Sequence, residues 1–141
     1  MKIAELQSEE TPFAMRAKHH LMNDPIILLT TVDSRGRPQP NPVWFLWNGA
    51  ETFLIYNKES ALRLRHVACN PNVAATFNAQ TGDVLIVTGT AHRVAAGLAH
   101  NNQEYVKKYG PSMIRIAGSV EQMGLDYPVA LEVIISDIRG R

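Results

Sequence analysis

Apolar positions along this chain recur mostly at strand-like intervals. Ile26–Val32 is an almost unbroken apolar, β-branched run closed by Asp33-Ser34-Arg35-Gly36, which predicts a buried strand and a turn. Val43–Trp47 and Thr52–Tyr56 flank Asn48-Gly49, the strongest short signal for a hairpin. Val73–Phe77 and Val84–Val94 form a second pair around Thr81-Gly82-Asp83, and Val129–Ile135 closes the set. Helical spacing occupies less of the chain. Thr11 and Pro12 fit the cap and first position of a helix to Met22, which Asn23-Asp24-Pro25 stops. Further helical stretches run from Ser60 to Cys69, from Gly97 to Tyr109 with Gly110-Pro111 as the break, and over Ser119–Met123. Six strands with few short helices predict a mainly β (α+β) barrel-like fold rather than a parallel α/β sheet.

Pro38, Pro40 and Pro42 stand at alternate positions before the second strand. Proline donates no backbone hydrogen bond, so this segment belongs at an edge or an interface. No repeat or low-complexity linker divides the 141 residues, which predicts one domain over 1–141. Charge then narrows the partners. A formal net charge of +1 lacks the basic excess of a nucleic-acid coat. No apolar run approaches the ~18 residues of a membrane span, and the acidic start resembles no export signal. The single cysteine, Cys69, excludes an intrachain disulfide framework and a cysteine-rich zinc site. A cytoplasmic setting is expected, with Cys69 buried and inert on its helix.

The charge is not spread evenly. Residues 35–66 carry five positive and two negative charges. Within them, Tyr56-Asn57-Lys58-Glu59-Ser60 leads from a strand end into a helix that holds Arg63 and Arg65. A helix start offers free N–H groups and the positive end of its dipole. Arginine can add a two-pronged grip on a phosphate, although a solvated helix face would show the same pattern.

The ordered set Asp33-x-x-Gly36-x-Pro38, Pro42-Val43-Trp44-Phe45, Tyr56-Asn57, Arg63-Leu64-Arg65 and Asn70-Pro71-x-Val73 resembles the pyridoxamine 5′-phosphate oxidase-like split-barrel flavoproteins. The tail, with Tyr105-Val106-Lys107-Lys108-Tyr109-Gly110 and Tyr127-Pro128-Val129, resembles the branch assigned to coenzyme F-420. The resemblance implies a six-stranded antiparallel split barrel that dimerises and holds its cofactor in a groove between subunits. It implies coenzyme F-420, with FMN the alternative, and hydride transfer to or from a small organic substrate. Lys58, Arg63 and Arg65 would then cradle the cofactor phosphate, and Asn41, Val43, Trp44, Tyr56 and Asn57 would lie along the ring. Arg63 stands where lysine is usual, and His66 where asparagine is common. A flavin-type ring also needs a flat apolar wall, which Trp44 or Phe45 can supply; strand alternation allows only one of them to face a given groove. No general acid stands out, Tyr56 being a minor candidate. The same motifs would serve a non-catalytic flavin- or haem-binding module.

The five histidines offer no ligand spacing, and His19 and His20 diverge by ~100° on a helix. No metal is expected. Hydrolase, phosphate-loop and dinucleotide fingerprints are absent.

Overall fold

The computed structural model describes residues 1–141 except the side chains of Asn78 and Ala79. Two helices, α1 (Ile3–Ser8) and α2 (Pro12–Asn23), precede the strands β1 (Ile27–Val32), β2 (Pro38–Val43), β3 (Leu46–Trp47) and β4 (Thr52–Asn57). Helix α3 (Leu62–Cys69) leads to the long hairpin β5 (Asn72–Gln80) and β6 (Asp83–Val94). A 3-10 turn (Ala99–Asn101), α4 (Gln103–Ala117), α5 (Val120–Asp126) and β7 (Val129–Gly140) complete the chain. The strands form one antiparallel sheet in the order β2-β1-β5-β6-β7-β4-β3.

That order forces the sheet to curl. β2 and β3 lie on opposite edges, yet only Trp44 and Phe45 separate Val43 from Leu46. Three residue steps reach at most ~11 Å. The edges of a flat sheet of this width would be about 29 Å apart. The sheet therefore wraps into a barrel whose open seam is crossed by the chain itself.

The expected six strands are seven. The stretch read as one strand, Val43–Trp47, breaks where it crosses the seam, because no neighbouring strand can serve Phe45 there. Helix α4 supplies the missing partners. Tyr109 Oη accepts the Phe45 N–H at 3.0 Å, and Lys108 Nζ donates to the Phe45 carbonyl at 2.9 Å. Tyr109 Oη is also 2.7 Å from the Pro25 carbonyl, to which it donates.

Strand alternation then sorts the apolar residues into two layers. Phe45, Phe53, Ile55 and Leu131 point into the barrel with Leu29, Phe77 and Leu85. Trp44, Tyr56 and Ala130 point out, where α4 and α5 cover them with Tyr105, Tyr109, Met113 and Met123. The expected division of Trp44 from Phe45 is what the structure has. At the bulge between Thr88 and Gly89, any Cβ on Gly89 would stand 2.1 Å from the Ile134 carbonyl oxygen, so glycine is required.

Other boundaries moved for local reasons. Helix α4 starts at Gln103, not Gly97, and continues through Gly110-Pro111 to Ala117. Pro111 and Lys107 are both exposed, so water can reach the Lys107 carbonyl that the proline leaves without a donor. Asn102 caps this helix by accepting the Tyr105 N–H, and Gly118, at φ 93°, ends it. Cys69 is exposed at the end of α3, not buried as expected.

His20 joins α2 to the β5–β6 hairpin. Its ring, only 6% exposed with its residue, puts Nδ1 2.8 Å from Asp24 Oδ2 and Nε2 3.0 Å from Asp83. Both nitrogens face carboxylates, an arrangement that favours the imidazolium, in which both donate. Burial lowers its pKa, but the hydrogen bonds and charges of Asp83 and Asp24 together raise it above the ordinary histidine value.

Lys108 is the other unusual cation. Its Nζ lies 3.8 Å from the Phe45 ring centroid and 5.1 Å from that of Tyr109. Burial pulls its pKa down to about 8, with the charge of Asp24 opposing. Between pH 8 and the ordinary lysine range the unfolded chain binds more protons at this position, so the side chain favours folding increasingly as pH rises. The stability of the native protein relative to Lys108→Met should therefore increase between pH 7.5 and 9.5, measured by urea unfolding. A pH-independent difference would refute the depressed value.

Candidate functional site

The site forms where the barrel seam meets the outer aromatic layer. Pro42, Val43 and Trp44 bring the seam to one side, Tyr56 marks the end of β4, and Arg63 enters from the first turn of α3. Ala99, Tyr105, Ile116, Met123 and Tyr127 supply the far wall. They enclose about 200 Å³. Small-molecule sites usually run to about 300–1,000 Å³, so this cavity is smaller than most.

Four of the ten lining residues are aromatic, Trp44, Tyr56, Tyr105 and Tyr127, and with Tyr109 behind them the rings hold one another in place. Trp44 stacks on Tyr109 with centroids 4.6 Å apart and planes within 1°. Tyr109 contacts Tyr105 at 4.9 Å, and Tyr105 meets Tyr56 edge-on at 4.8 Å. Burial pushes the Tyr105 phenol well above the ordinary tyrosine range, with the neighbouring phenols adding to the shift. It stays a neutral hydroxyl through any physiological pH.

Arg63 is the charge in this lining. Among the described residues, the arginines paired with carboxylates are Arg16, Arg37 and Arg93; Arg63 is not. Its Nε donates to Asn57 Oδ1. Asn57 is itself 0% exposed and donates from Nδ2 to the Ile55 and Val129 carbonyls, at 2.9 and 3.0 Å. With those carbonyls fixing the amide, its oxygen must face Arg63. Burial lowers the pKa of the guanidinium, partly opposed by Tyr127, but an arginine stays charged. A half-buried cation held by a neutral amide and facing a cavity is electrostatically unfinished.

The sequence candidates thus separate. Val43, Trp44, Tyr56 and Arg63 line the pocket. Lys58 is exposed at the rim, with Nζ 5.4 Å from the Tyr127 ring centroid. Asn57 lies behind Arg63 and aims it. Asn41 shares the side of β2 that carries Val43, but it is exposed outside the pocket walls. Arg65 follows Arg63 by two positions, which turns it to another side of the helix, and it is exposed. The pocket includes Tyr105, Tyr127, Met123 and Ala99, to which no site role had been given. The i, i+4 pair Tyr105 and Tyr109 was the signal available for the α4 wall. His66, the departure noted on α3, lies 2.8 Å from Thr31 Oγ1 through Nδ1 and so pins the helix to β1.

A family model described as pyridoxamine 5′-phosphate oxidase matches residues 15–140. The chain belongs to that family. Solved structures carry the same fold. An F420 reductase aligns with a TM-score of 0.65 at 22% identity, over 86% of this chain and 94% of its own. General stress protein 26 from Bacillus anthracis str. Sterne aligns at 0.66 and 15% identity, over 88% and 89%. A FAD-binding protein from Mesorhizobium loti aligns at 0.63 and 13% identity, over 89% and 91%. At these identities the likeness establishes the fold. No curated protein matches the chain. For this oxidase-family member, no described helix is long and apolar enough to cross a membrane.

Proposed function

We propose that the chain is a flavin- or deazaflavin-dependent oxidoreductase, working as a cytoplasmic homodimer on a small organic substrate. The observation that carries this reading is an aromatic pocket whose one formal charge, Arg63, has no carboxylate partner. Such a lining suits a flat conjugated ring bearing a phosphate. Coenzyme F-420 is the preferred ligand and FMN the alternative; the F420 reductase and the FAD-binding protein among the neighbours support that choice of class.

When bound, the ring would supply the hydride chemistry. The chain's own residues bind and orient. Trp44, Tyr56, Tyr105 and Tyr127 would form the aromatic wall beside the ring, and Arg63 and Lys58 would attract its phosphate. Ala61 caps α3 without a side-chain hydrogen bond, which leaves first-turn N–H groups for the same anion. Met123 is buried behind one side of the pocket, and Ile116, half exposed, flanks its mouth. Among the described residues, no carboxylate, histidine or cysteine lines the pocket, so the protein offers little acid–base chemistry there. That feature also favours a second reading, a binding module without turnover.

A second subunit has a place to dock. Leu28, Thr30, Pro40, Pro42, Thr76 and Ile86 share the outer side of four neighbouring strands by register, and none is charged. Pro42 also belongs to the pocket wall, so a partner on this surface would finish the small cavity. Calorimetric titration with coenzyme F-420 and with FMN tests the proposal, alongside sedimentation to give the mass. Micromolar or tighter binding of one of them to a dimer is expected. Binding of neither, or a monomer that binds fully, would overturn it. Stopped-flow oxidation of the reduced complex by a panel of acceptors, no faster than free cofactor, would favour the binding module.

A further inference from the structure

Asn102 lies outside the pocket, yet it decides what one pocket group can do. Its Oδ1 accepts the Tyr105 N–H at 3.2 Å as the cap of α4, so the orientation of its amide is set by a backbone donor. Its Nδ2, which can only donate, is 3.2 Å from Tyr56 Oη. The Tyr56 oxygen must therefore accept from Asn102. Its own proton finds no acceptor among the described residues, while the side chain lines the pocket.

We infer that Asn102 is a positioning residue that makes Tyr56 an obligatory hydrogen-bond donor to the pocket's occupant. The ligand atom at this point is then an acceptor, a carbonyl oxygen or a ring nitrogen with a free lone pair, and not an N–H or ammonium group. The polarity follows from geometry alone; the identity of the acceptor as part of a flavin-type ring or of its substrate rests on the function proposed above. Ser or Asp at position 102 would cap α4 as well as Asn does, so helix capping does not account for an amide here.

The test reverses one hydrogen bond without removing the cap. In Asn102→Asp, one carboxylate oxygen still accepts the Tyr105 N–H and the other accepts the Tyr56 proton, which takes that proton from the ligand. Affinity for FMN and for coenzyme F-420 is measured by calorimetry on the native protein, Tyr56→Phe, Asn102→Asp and the double variant. Tyr56→Phe should weaken the bound probe about three- to tenfold, the range of one neutral hydrogen bond. Asn102→Asp should weaken it to a similar extent, and the double variant no further than Tyr56→Phe. Melting temperatures should stay close together, because the cap survives.

Equal losses from Asn102→Asp on the Tyr and Phe backgrounds would mean simple charge repulsion and would overturn the inference. A silent Asn102→Asp beside an impaired Tyr56→Phe would do the same. A ligand-free measurement separates this inference from the cofactor reading. The side-chain amide resonances of Asn102 should move in Tyr56→Phe, and unchanged resonances would show that the hydrogen bond is not made. If the native protein binds neither probe, the cofactor reading falls, and the amide resonances alone decide the polarity.

Discussion

Replacing His20 by alanine is expected to cost the fold about 3 kcal/mol at pH 6, in line with the loss of one partner from a buried ion pair. The reason is the arrangement of charge around the ring. Asp24 from the end of α2 and Asp83 from the start of β6 face its two nitrogens, with Arg16 Nε 3.7 Å from the same Asp83 carboxylate. The aromatic rings beside it are those of His19, 6.3 Å away, and Phe77, 6.5 Å away. Without the imidazolium, two carboxylates lose their shared cation, and Asp24 is only 14% exposed by its side chain. The sign with pH follows from the raised pKa. The stabilisation is complete below the ordinary histidine value and is lost as pH rises through the folded one. Urea unfolding of the native protein and His20→Ala at pH 6 and pH 9 should therefore show a gap that narrows at the higher pH. A constant gap would mean that the ring serves by packing alone.

The second large effect is on binding. Arg63→Ala should weaken the affinity for coenzyme F-420 or FMN by roughly 1.5–3 kcal/mol, the range for a hydrogen bond to a charged group. Asn57 already satisfies Nε, so the terminal nitrogens of the guanidinium are those left for an anion. Arg63→Lys should recover part of the loss, since a lysine restores the charge but not the planar fork. Salt should weaken binding to the native protein more than to Arg63→Ala. Unchanged calorimetric affinity in Arg63→Ala would remove this residue from the site. Arg65→Ala, on another side of the helix, should have a much smaller effect.

Much of this was legible in the residues themselves. The apolar, β-branched runs along Ile26–Val32 and Thr52–Tyr56, the Asn48-Gly49 turn and the Thr11-Pro12 helix start are local signals, and the elements formed where those signals lay. The break at Trp44-Phe45 was not local. It depends on two sheet edges meeting and on Lys108 and Tyr109, more than sixty positions away, replacing a strand as partners. The six-residue helix α1 was missed for a related reason. Ile3 and Leu6 are buried at helical spacing, but two positions are too few to establish a period. Arg63 and Tyr56 could be read from a strand end followed by a helix start. The roles of Asn57 and Asn102 could not, because an amide's task is set by which neighbours claim its oxygen and its nitrogen.

The chain's passage across the barrel seam has a thermodynamic consequence. Pro42, Val43 and Trp44 are at once the wall of the pocket and the bridge between the two sheet edges. A chain whose edges have drifted apart has no such wall, so the partly opened states that precede unfolding have little affinity for a ligand. Occupancy and barrel integrity are then linked: a ligand at a hundred times its Kd would add about 2.7 kcal/mol to the stability of the whole domain. The midpoint of thermal unfolding becomes a gauge of occupancy, and candidate substrates can be ranked by it before any of them is turned over.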